Sequence, residues 1–540
     1  MMNICSADSS QSVQSSQGMQ SDIYSNKPLE LFGYHYTSHL DTFESKRYML
    51  DVIEYKFSMW EKEQSAAKRN KIHAVALSGI RRIGKTTILQ QMYNSHSDAI
   101  YISCDYNTDL RSILLCVKKA GIHLVLIDEA CKLSESALSF LVSFVKSGSF
   151  NLFFVFTGSV ASIIDDTAYK ILDCDILNLP SITYMESLSW KSNTDLMNLL
   201  DKTRPELFDK WVLDGDFRSK GASIQYIQGV VIDTYDSYKK KRDYRNKCES
   251  KFVLGAHENS IQNGSMIRAF FEYVVLCQWI YIHGNLRKKG VSKPENIPLA
   301  VDMNNYDADK FQERFNSVYK LVNKYPRSIL VSFCRMLEEA RLVERVDMYT
   351  ELDNDELHKL TDELGVYCYV FEYPQMIYSL FNISLSSDII DRWVELLILR
   401  RASYYYHNVG KYRTSDGTSE VDIIYNFDDF CTSDKGIIEV KHRPEKSVKL
   451  GKYADLNLKH IKEFTLSCSY GSSFREILFD LDSNADAKKL LFNRAYRVRN
   501  DLIVLLLEYG YMLKCYGLHD DRDRTLQELY DLYKSGFMPK

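Results

Sequence analysis

Apolar and polar positions along the chain alternate between two patterns, one typical of buried strands and one typical of helices. Short apolar runs begin near His73, Ala99, Leu124 and Leu152, and each is brief enough to be a strand buried on both faces. Segments with apolar residues at helical spacing separate these runs. This order predicts an α/β fold with a parallel sheet, in which ligands bind at the carboxyl ends of the strands.

A helix is also predicted ahead of the first strand, over residues 43–63. Its residues Tyr48, Leu50, Ile53 and Phe57 recur at roughly helical spacing. We expect this helix to cover the first strand of the sheet.

Beyond residue 195 the pattern changes. Residues 266–346 are mainly helical, and the last helix there ends near Ala340 and runs into the strand-like segment LVERV. A helix at 389–401 and further strands follow, and beyond Lys488 the chain turns helical again. We expect the C-terminal helices either to pack on the preceding domain or to mediate self-association.

Length and composition limit the number of domains, the kinds of partner and the expected location of the protein. The chain has 540 residues, enough for about three or four domains. Its net charge of −4 argues neither for nor against a nucleic-acid partner, so any basic surface must be local. The 12 cysteines have no metal-ligand spacing and are typical of reduced core cysteines, and no apolar run is long enough to cross a membrane. We therefore expect a soluble cytoplasmic protein.

The first chemical motif follows the strand at His73. Gly79 and Gly84 bracket four residues before Lys85 and Thr86, which is the G-x-x-x-x-G-K-T spacing of a P-loop. In such a loop backbone N–H groups surround a phosphate, the lysine neutralises the β- and γ-phosphates, and the threonine hydroxyl binds Mg²⁺. The predicted nucleotide-binding residues of this loop are Gly79, Ile80, Arg81, Arg82, Ile83, Gly84, Lys85, Thr86 and Thr87.

The apolar run at Leu124 ends in two acids, Asp128 and Glu129, which is a Walker B pattern. We predict that Asp128 helps to hold Mg²⁺ and that Glu129 orients or deprotonates the attacking water. The next strand ends in Thr157 and Ser159. Either hydroxyl is a candidate sensor of the γ-phosphate, and a plain turn after the strand is almost as good an interpretation. The cofactors that these residues predict are ATP and Mg²⁺.

These motifs resemble those of a known family. The segments GIRRIGKTTILQQ, LVLIDEACKL, VFTGSV and LNLPSITYMES are similar to the AAA-type P-loop ATPases of archaea and bacteria that carry a C-terminal domain of the restriction-endonuclease kind. The resemblance implies an AAA-type nucleotide-binding domain. The chain departs from the family at one point, because the usual Gly-Arg pair is replaced by TAYKILDCD. Lys170 is a candidate stand-in, and no arginine finger is assigned.

A second group of chemical residues lies nearer the C-terminus. The helix over 389–401 contains Glu395 among apolar neighbours, a following strand contains Asp422, and the next contains Glu439 and Lys441 on one face. Two carboxylates and an ammonium in this arrangement can hold a divalent metal and polarise water against a phosphodiester. Alternating charges on a strand are also typical of a solvent-facing edge.

This pattern is the D…E-x-K of PD-(D/E)xK nucleases, and it resembles the C-terminal domain of the same ATPase family. By that resemblance Asp422 and Glu439 are metal ligands. Lys441 would position or activate the water, and Glu395 would be a supporting acid. Domains of this fold also act as binding or assembly modules without cleavage. Because no residue of the active-site pattern is missing, we favour a competent site.

DNA is the expected partner, but the sequence features that indicate it are less specific than the two motifs described above. Residues 239–247 are strongly basic, and between 441 and 462 seven Lys or Arg face two acids. Each segment is either a contact to a phosphate backbone or a solvated helix face. The segment SILVSFCRMLEEARLVERV resembles the winged-helix segment of the same family, and winged helices bind DNA or pack only against protein.

We therefore predict an intracellular AAA-type ATPase in which ATP binding and hydrolysis gate metal-dependent DNA cleavage by the C-terminal domain. The alternatives are an ATP-switched scaffold that binds DNA or protein without cutting, and an ATPase that acts on protein. The predicted order of domains is a disordered tail at 1–27, the AAA-type ATPase at 28–195, a helical lid and winged helix at 196–375, a PD-(D/E)xK domain at 376–487 and C-terminal helices at 488–540.

Overall fold

Two large β-sheets and one short two-stranded sheet, with helices packed around them, make up the described part of the structure, which is a computed structural model. The residues that the structure describes are 22–25, 40, 44–67, 73–147, 151–171, 174–214, 269–274, 276, 308–324, 327–351, 357–359, 369–371, 387–413, 420–426, 435–441, 463–469, 474–476, 494–518 and 523–537.

The N-terminal sheet confirms the predicted parallel α/β arrangement. Its strands are β1 (Asp22–Ser25), β2 (His73–Ser78), β3 (Ala99–Ser103), β4 (Leu124–Asp128), β5 (Phe153–Thr157) and β6 (Cys174–Asn178). Their spatial order is β1-β3-β4-β5-β2-β6, and every neighbouring pair from β3 to β6 is parallel. The P-loop strand β2 and the acid-bearing strand β4 therefore flank β5, and the carboxyl ends of all three meet at one edge.

Helices cover both faces of this sheet. They are α1 (Tyr48–Ala67), α2 (Lys85–Ser95), α3 (Leu110–Lys119), α4 (Glu135–Lys146), α5 (Ala161–Tyr169), α6 (Tyr184–Ser192) and α7 (Pro205–Asp214). Helix α1 corresponds to the helix predicted over 43–63, and the apolar residues that predicted it are all buried. Its Phe57 ring packs edge-on against Phe153 of β5, with ring centroids 5.2 Å apart.

The prediction of a disordered tail over residues 1–27 is wrong at residues 22–25. Residues 22–25 form β1 and pair antiparallel with β3, from Asp22 opposite Ser103 to Ser25 opposite Ile100. The tail has little to bury, and this suggested disorder. The outer edge of β3, however, offers N–H and C=O groups that a short segment can pair with by its backbone alone.

The middle of the chain contains a helix that leads into strands. Helices α8 (Ala308–Val322) and α9 (Arg327–Glu339) precede β7 (Val343–Arg345), which pairs antiparallel with β10 (Tyr369–Phe371). The helix and strand of the predicted winged-helix segment are thus present. At the end of α9, Arg341 donates a hydrogen bond of 2.8 Å to Asp165, which connects this region to helix α5 of the first sheet.

The second sheet is mixed and has eight strands. They are β8 (Asp347–Glu351), β9 (Leu357–Lys359), β11 (Gly410–Arg413), β12 (Glu420–Tyr425), β13 (Gly436–Lys441), β14 (Glu463–Cys468), β15 (Phe474–Glu476) and β16 (Arg494–Arg499), in the spatial order β15-β16-β14-β13-β12-β11-β8-β9. Neighbours among β11, β12 and β13 are antiparallel, whereas β13, β14 and β16 are parallel. Strands β8 and β9 come from the sequence assigned to the middle region.

The prediction of helix directly after Lys488 is wrong at residues 494–499, which form β16. Tyr496 and Val498 are buried and alternate with the partly exposed Arg497 and Arg499. That period of two is the pattern of a strand, and the apolar helix next to it obscured the change. The helices predicted to follow are α11 (Asn500–Tyr516) and α12 (Leu526–Lys534), and the helix predicted at 389–401 is α10 (Ser387–Tyr405).

Helix α11 connects the two sheets and is buried along almost its whole length. It packs against α1 and α6 of the N-terminal unit and against α10 of the C-terminal unit. At its centre Glu508 accepts hydrogen bonds from the backbone N–H groups of Tyr184 (2.9 Å) and Met185 (2.8 Å), at the start of α6. Arg401 of α10 pairs with the same carboxylate at 3.1 Å. One charged group therefore holds three helices together.

No helix in the described ranges is both long enough and apolar enough to cross a membrane. The basic segment at 239–247, and the basic segment between 441 and 462 beyond Lys441, lie outside the described residues.

The buried carboxyl of Glu463 predicts a pH-dependent stability. Burial raises its pKa to about 7. Hydrogen bonds from the N–H of Leu526 and from the Tyr425 hydroxyl favour the ionised form and oppose this rise. The stabilising contribution of its bound proton is therefore complete below the unfolded pKa of about 4.3 and is lost as the pH rises through 7. We expect Glu463→Gln to lessen the loss of unfolding free energy between pH 5 and pH 8 by about 3 kcal/mol, measured by denaturant unfolding.

Glu135→Gln is the matched control, because Glu135 is exposed on α4. It should leave the pH profile unchanged. A Glu463→Gln profile that runs parallel to wild type would contradict the assignment.

Candidate functional site

The glycine loop takes the conformation that its residues predict. Gly79 has φ +145°, and a Cβ atom there would lie only 2.7 Å from the carbonyl oxygen of Leu179, so that only glycine fits. Gly84 has φ +102° and caps the start of α2. The loop therefore ends at a helix N-terminus, where backbone N–H groups without helical partners can bind an anion.

Lys85 is buried inside this loop. Its ammonium donates hydrogen bonds to the carbonyl oxygens of Gly79 (2.8 Å) and Ile80 (2.5 Å). Burial lowers its pKa to about 8, because the surrounding protein solvates the charge less well than water does, and the nearby Glu129 carboxylate opposes the shift. A phosphate group placed here would supply the negative charge that a buried ammonium lacks.

A pocket of about 820 Å³ opens beside the loop. It is lined by every predicted nucleotide-binding residue of the loop except Gly79 and Ile80. The carbonyl oxygens of these two residues accept the hydrogen bonds of Lys85. Its lining residues are Ser45, Arg47, Arg81, Arg82, Ile83, Gly84, Lys85, Thr86, Thr87, Asp128, Glu129, Gly158, Ser159, Ile182, Trp190 and Lys191. Lys170, the candidate stand-in for an arginine finger, is exposed at the end of α5 and is not among them.

Asp128 ends β4 beside Thr86. Its carboxylate accepts a hydrogen bond of 2.7 Å from Tyr101 and a further one from the Thr86 hydroxyl. Burial raises its pKa, and these hydrogen bonds oppose the shift. A carboxylate and a hydroxyl side by side are the oxygen donors that Mg²⁺ accepts, so the donor set fits this cation.

Glu129 follows in a left-handed backbone conformation, with φ +54°. Such a conformation is strained for a residue other than glycine, and it is often found at functional sites. Ser159 donates a hydrogen bond of 2.9 Å to the Glu129 carboxylate, and Lys132 lies 3.7 Å away. Burial raises the pKa of Glu129, but Lys132, Ser159 and Arg81 together outweigh that effect and lower it, which keeps the group ionised.

The two candidate sensors at the end of β5 lie in different places. The hydroxyl of Thr157 is fully buried and donates a hydrogen bond of 2.8 Å to the carbonyl oxygen of Leu77 inside the sheet. Ser159 lines the pocket and contacts Glu129. The geometry therefore places Ser159, rather than Thr157, at the pocket and beside the Glu129 carboxylate.

Arg47 is a pocket residue that no sequence motif marked. Its guanidinium donates hydrogen bonds to the carbonyl oxygens of Ile83 (2.7 Å), Pro180 (2.9 Å) and Ser181 (3.3 Å) and pairs with Glu186 at 2.8 Å. It thereby connects the P-loop to the segment between β6 and α6. Its partners lie up to 139 positions away in sequence, so local spacing gave no signal.

In the C-terminal sheet Asp422, Glu439 and Lys441 lie together. The Lys441 ammonium is 2.5 Å from a Glu439 oxygen and 3.3 Å from an Asp422 oxygen, which also accepts a hydrogen bond of 2.8 Å from the N–H of Val440. Burial lowers the pKa of Lys441, but the two carboxylates outweigh it and raise the pKa well above its ordinary value. Lys441 is therefore a fixed positive charge in this cluster.

Glu395 lies on α10 and is paired with Lys411 of β11, and both side chains are buried. Its charge also contributes to the raised pKa of Lys441, so it is near the cluster. Lys411 was not predicted from the sequence, and KYR at that position has no distinguishing pattern. Glu395 therefore has a direct partner in Lys411 and acts on the cluster only as a nearby charge.

The donor set of this cluster fits a hard divalent cation that takes two carboxylates from the protein and water for its other positions. Within the described part of the chain no three His, Cys, Asp or Glu side chains lie close enough to hold a metal. The assignment of Asp422 and Glu439 as metal ligands therefore stays a prediction.

Comparison with known proteins identifies the N-terminal unit. Residues 71–173 match the model of a family described as an AAA domain, and this range contains the P-loop and the Walker B acids. Residues 71–173 of that unit are therefore similar to an AAA domain. No curated protein sequence matches the chain.

Among solved structures, a chain from the structure of Drosophila ORC bound to poly(dA/dT) DNA and Cdc6 is similar to this one, at 11% identity and a TM-score of 0.17. The match covers 54% of this chain and 63% of that one, which is less than two thirds of its length. No common architecture follows from a similarity this low. The nuclease-like and winged-helix assignments stay predictions.

The lowered pKa of Lys85 predicts how nucleotide affinity depends on pH. A phosphate favours the charged ammonium, so binding above pH 8 requires uptake of a proton. We expect the affinity for ATP to be nearly constant below pH 8 and to fall by up to about tenfold per pH unit above it, measured by titration calorimetry.

Lys85→Arg is the matched variant, because its guanidinium stays charged over this range. It should bind more weakly and show no break near pH 8. A wild-type profile without a break between pH 7 and pH 9.5 would contradict the assignment.

Proposed function

Starting from the AAA domain of residues 71–173, we propose that this chain is an ATP-hydrolysing AAA-type ATPase whose C-terminal sheet cleaves DNA with a divalent metal. The observation that carries the second half is the convergence of Asp422, Glu439 and Lys441 in one cluster. The first half rests on the P-loop pocket and its two acids.

In the proposed ATPase the loop N–H groups and Lys85 bind the β- and γ-phosphates. Thr86 and Asp128 would hold Mg²⁺, which when bound supplies positive charge to the phosphates. Glu129 orients the attacking water and accepts its proton. Ser159 keeps the Glu129 carboxylate in position through its hydrogen bond, and responds when the γ-phosphate leaves.

The order of elements supports the nuclease proposal. Strands β11, β12 and β13 are antiparallel, β14 is parallel to β13, and helix α10 packs against β12 and β13, which contain the cluster. Asp422 and Glu439 would hold the metal, whose chemistry is to polarise a phosphodiester and its attacking water. Lys441 would orient that water and stabilise negative charge on the phosphate.

Contacts between the units support coupling of the two sites. Ser181 accepts a hydrogen bond from Arg47 at its carbonyl oxygen and another from Arg401, at 3.1 Å, at its hydroxyl. Arg47 contacts the P-loop, and Arg401 lies on α10 six positions after Glu395, about 9 Å along the helix. A change in the P-loop thus has a contiguous route to the metal site, and we propose that ATP gates cleavage through it.

One observation favours the alternative of a scaffold that binds DNA without cutting. Lys441 already contacts both carboxylates, so the cluster is a balanced ion-pair group as it stands. Such a group also stabilises a fold that has no catalytic role.

Incubation of the purified protein with supercoiled and linear DNA tests the nuclease proposal. The reactions contain Mg²⁺ or Mn²⁺, with and without ATP, and each variant is also assayed for ATP hydrolysis. We expect Glu439→Ala to abolish cleavage and keep ATP turnover, because Glu439 holds the metal and lies in the other sheet. Glu129→Gln should bind ATP and lose at least about a hundredfold in hydrolysis.

Glu135→Gln, on the surface of the ATPase unit, controls for loss of a carboxylate. One outcome would contradict the nuclease proposal and support the scaffold. In that outcome the protein binds DNA in a salt-dependent way but does not cleave it under any metal and nucleotide condition. Hydrolysis that survives in Glu129→Gln would contradict the role proposed for Glu129, and the absence of hydrolysis in wild type would contradict the ATPase proposal.

The variant Ser181→Ala tests the coupling route. It removes the hydroxyl that Arg401 contacts and keeps the carbonyl that Arg47 contacts, and the Arg401–Glu508 pair stays in place. A hydrogen bond to a charged group contributes roughly 1.5–3 kcal/mol. We expect ATP stimulation of cleavage, and the reciprocal effect of DNA on ATP affinity, to fall about fivefold or more, with ATP affinity alone unchanged.

Ser403→Ala is the matched control, because Ser403 lies on the same helix and contacts Glu344 of the middle region. It should leave the coupling unchanged. Equal coupling in wild type and Ser181→Ala would rule out this route.

A further inference from the structure

The nucleotide pocket extends beyond the residues that phosphates and Mg²⁺ account for. Lys85, Asp128 and Glu129 define its phosphate end. Ser45, Ile182, Trp190 and Lys191 line the pocket as well, and no proposed step uses them. Because the P-loop fixes the triphosphate, the nucleoside must extend away from the acids, toward the part of the pocket that these residues supply.

Trp190 is fixed at that end by a hydrogen bond. Its indole N–H donates to the carbonyl oxygen of Lys46 at 3.1 Å. The next residue is Arg47, whose guanidinium contacts Ile83 of the P-loop at 2.7 Å and would lie 3.8 Å from a Cβ atom at Gly84. The ring is therefore attached to the same segment that touches the loop.

The position of Trp190 on α6 follows from the same contacts. Glu186 binds Arg47 and Trp190 binds Lys46, and residues four apart lie on one face of a helix. The buried Arg47–Glu186 pair, at 2.8 Å, sets the rotation of α6 and so directs Trp190 to the pocket.

The exposure of Trp190 differs from that of the other tryptophans whose side chains the structure describes. Trp60 and Trp211 are 5% and 4% exposed and pack in the hydrophobic core. Trp190 is only partly buried, with its ring at a pocket. A rigid aromatic ring and the aliphatic Ile182, which line the same pocket, are suited to hold a flat heterocycle.

We propose that Trp190, together with Ile182, forms the base subsite of this pocket and takes the purine of the nucleotide by stacking. This inference rests on the proposed ATP site and deepens it, because it names the residue that binds the base. Trp190 contacts the base and no reacting atom, so it determines affinity for the nucleoside and not the chemistry at the phosphates.

Binding of ATP and of inorganic tripolyphosphate, each with Mg²⁺, tests the proposal by calorimetry. We expect Trp190→Ala to weaken ATP binding about tenfold or more and to change tripolyphosphate binding by less than about twofold, since only ATP has a base. Trp190→Phe should recover most of the loss. Tyr169→Ala is the aromatic control, because Tyr169 is 81% exposed and outside the pocket.

A fluorescence measurement gives an independent readout. Energy transfer from tryptophan to a methylanthraniloyl ATP analogue should be reduced in Trp190→Phe at saturation, compared with wild type. ATP affinity unchanged in Trp190→Ala would overturn the proposal, and so would an equal loss for ATP and tripolyphosphate, which would mark a structural role through Arg47. If wild type binds neither ligand, the proposed ATP site itself fails, and the inference fails with it.

Discussion

The buried carboxylate of Glu508 is the contact on which the arrangement of the units depends. It accepts hydrogen bonds from the first N–H groups of α6 and pairs with Arg401 of α10, while its own helix α11 packs on both units. Burial raises its pKa to about 7, against the opposing effects of Arg401 and the helix N–H groups. The ionised form of a carboxyl buried in this way is stabilised only while all of its partners stay in place, so the contact favours one geometry.

A second buried pair, between Arg47 and Glu186, performs the equivalent role within the ATPase unit. It connects the P-loop, the segment after β6 and helix α6, and it places Trp190 beside the pocket. Ser181 lies between the two pairs and contacts both arginines. The nucleotide pocket and the C-terminal sheet are therefore joined by directional contacts between charged groups as well as by a continuous apolar core.

The two candidate sites differ in how strongly the arrangement of their side chains supports the proposed activity. In the first, two glycines with positive φ, a buried lysine and an acid with a strained backbone are the features expected of a site that binds and hydrolyses a phosphate ester. In the second, the two acids and Lys441 satisfy one another, and Glu395 is satisfied by Lys411. The C-terminal cluster therefore needs an activity measurement, whereas the family match already supports the N-terminal one.

Local spacing in the sequence determined the P-loop, the Walker B acids and the strands that bear them, because backbone conformation and strand period depend on neighbouring residues. It also placed Glu439 and Lys441 on one strand face. It missed β1 and β16, whose pairing depends on a sheet edge and on a period change beside an apolar helix. Only the tertiary structure brought Arg47, Lys411, Trp190 and Glu508 to their sites, and chose Ser159 over Thr157, because their partners come from distant parts of the chain.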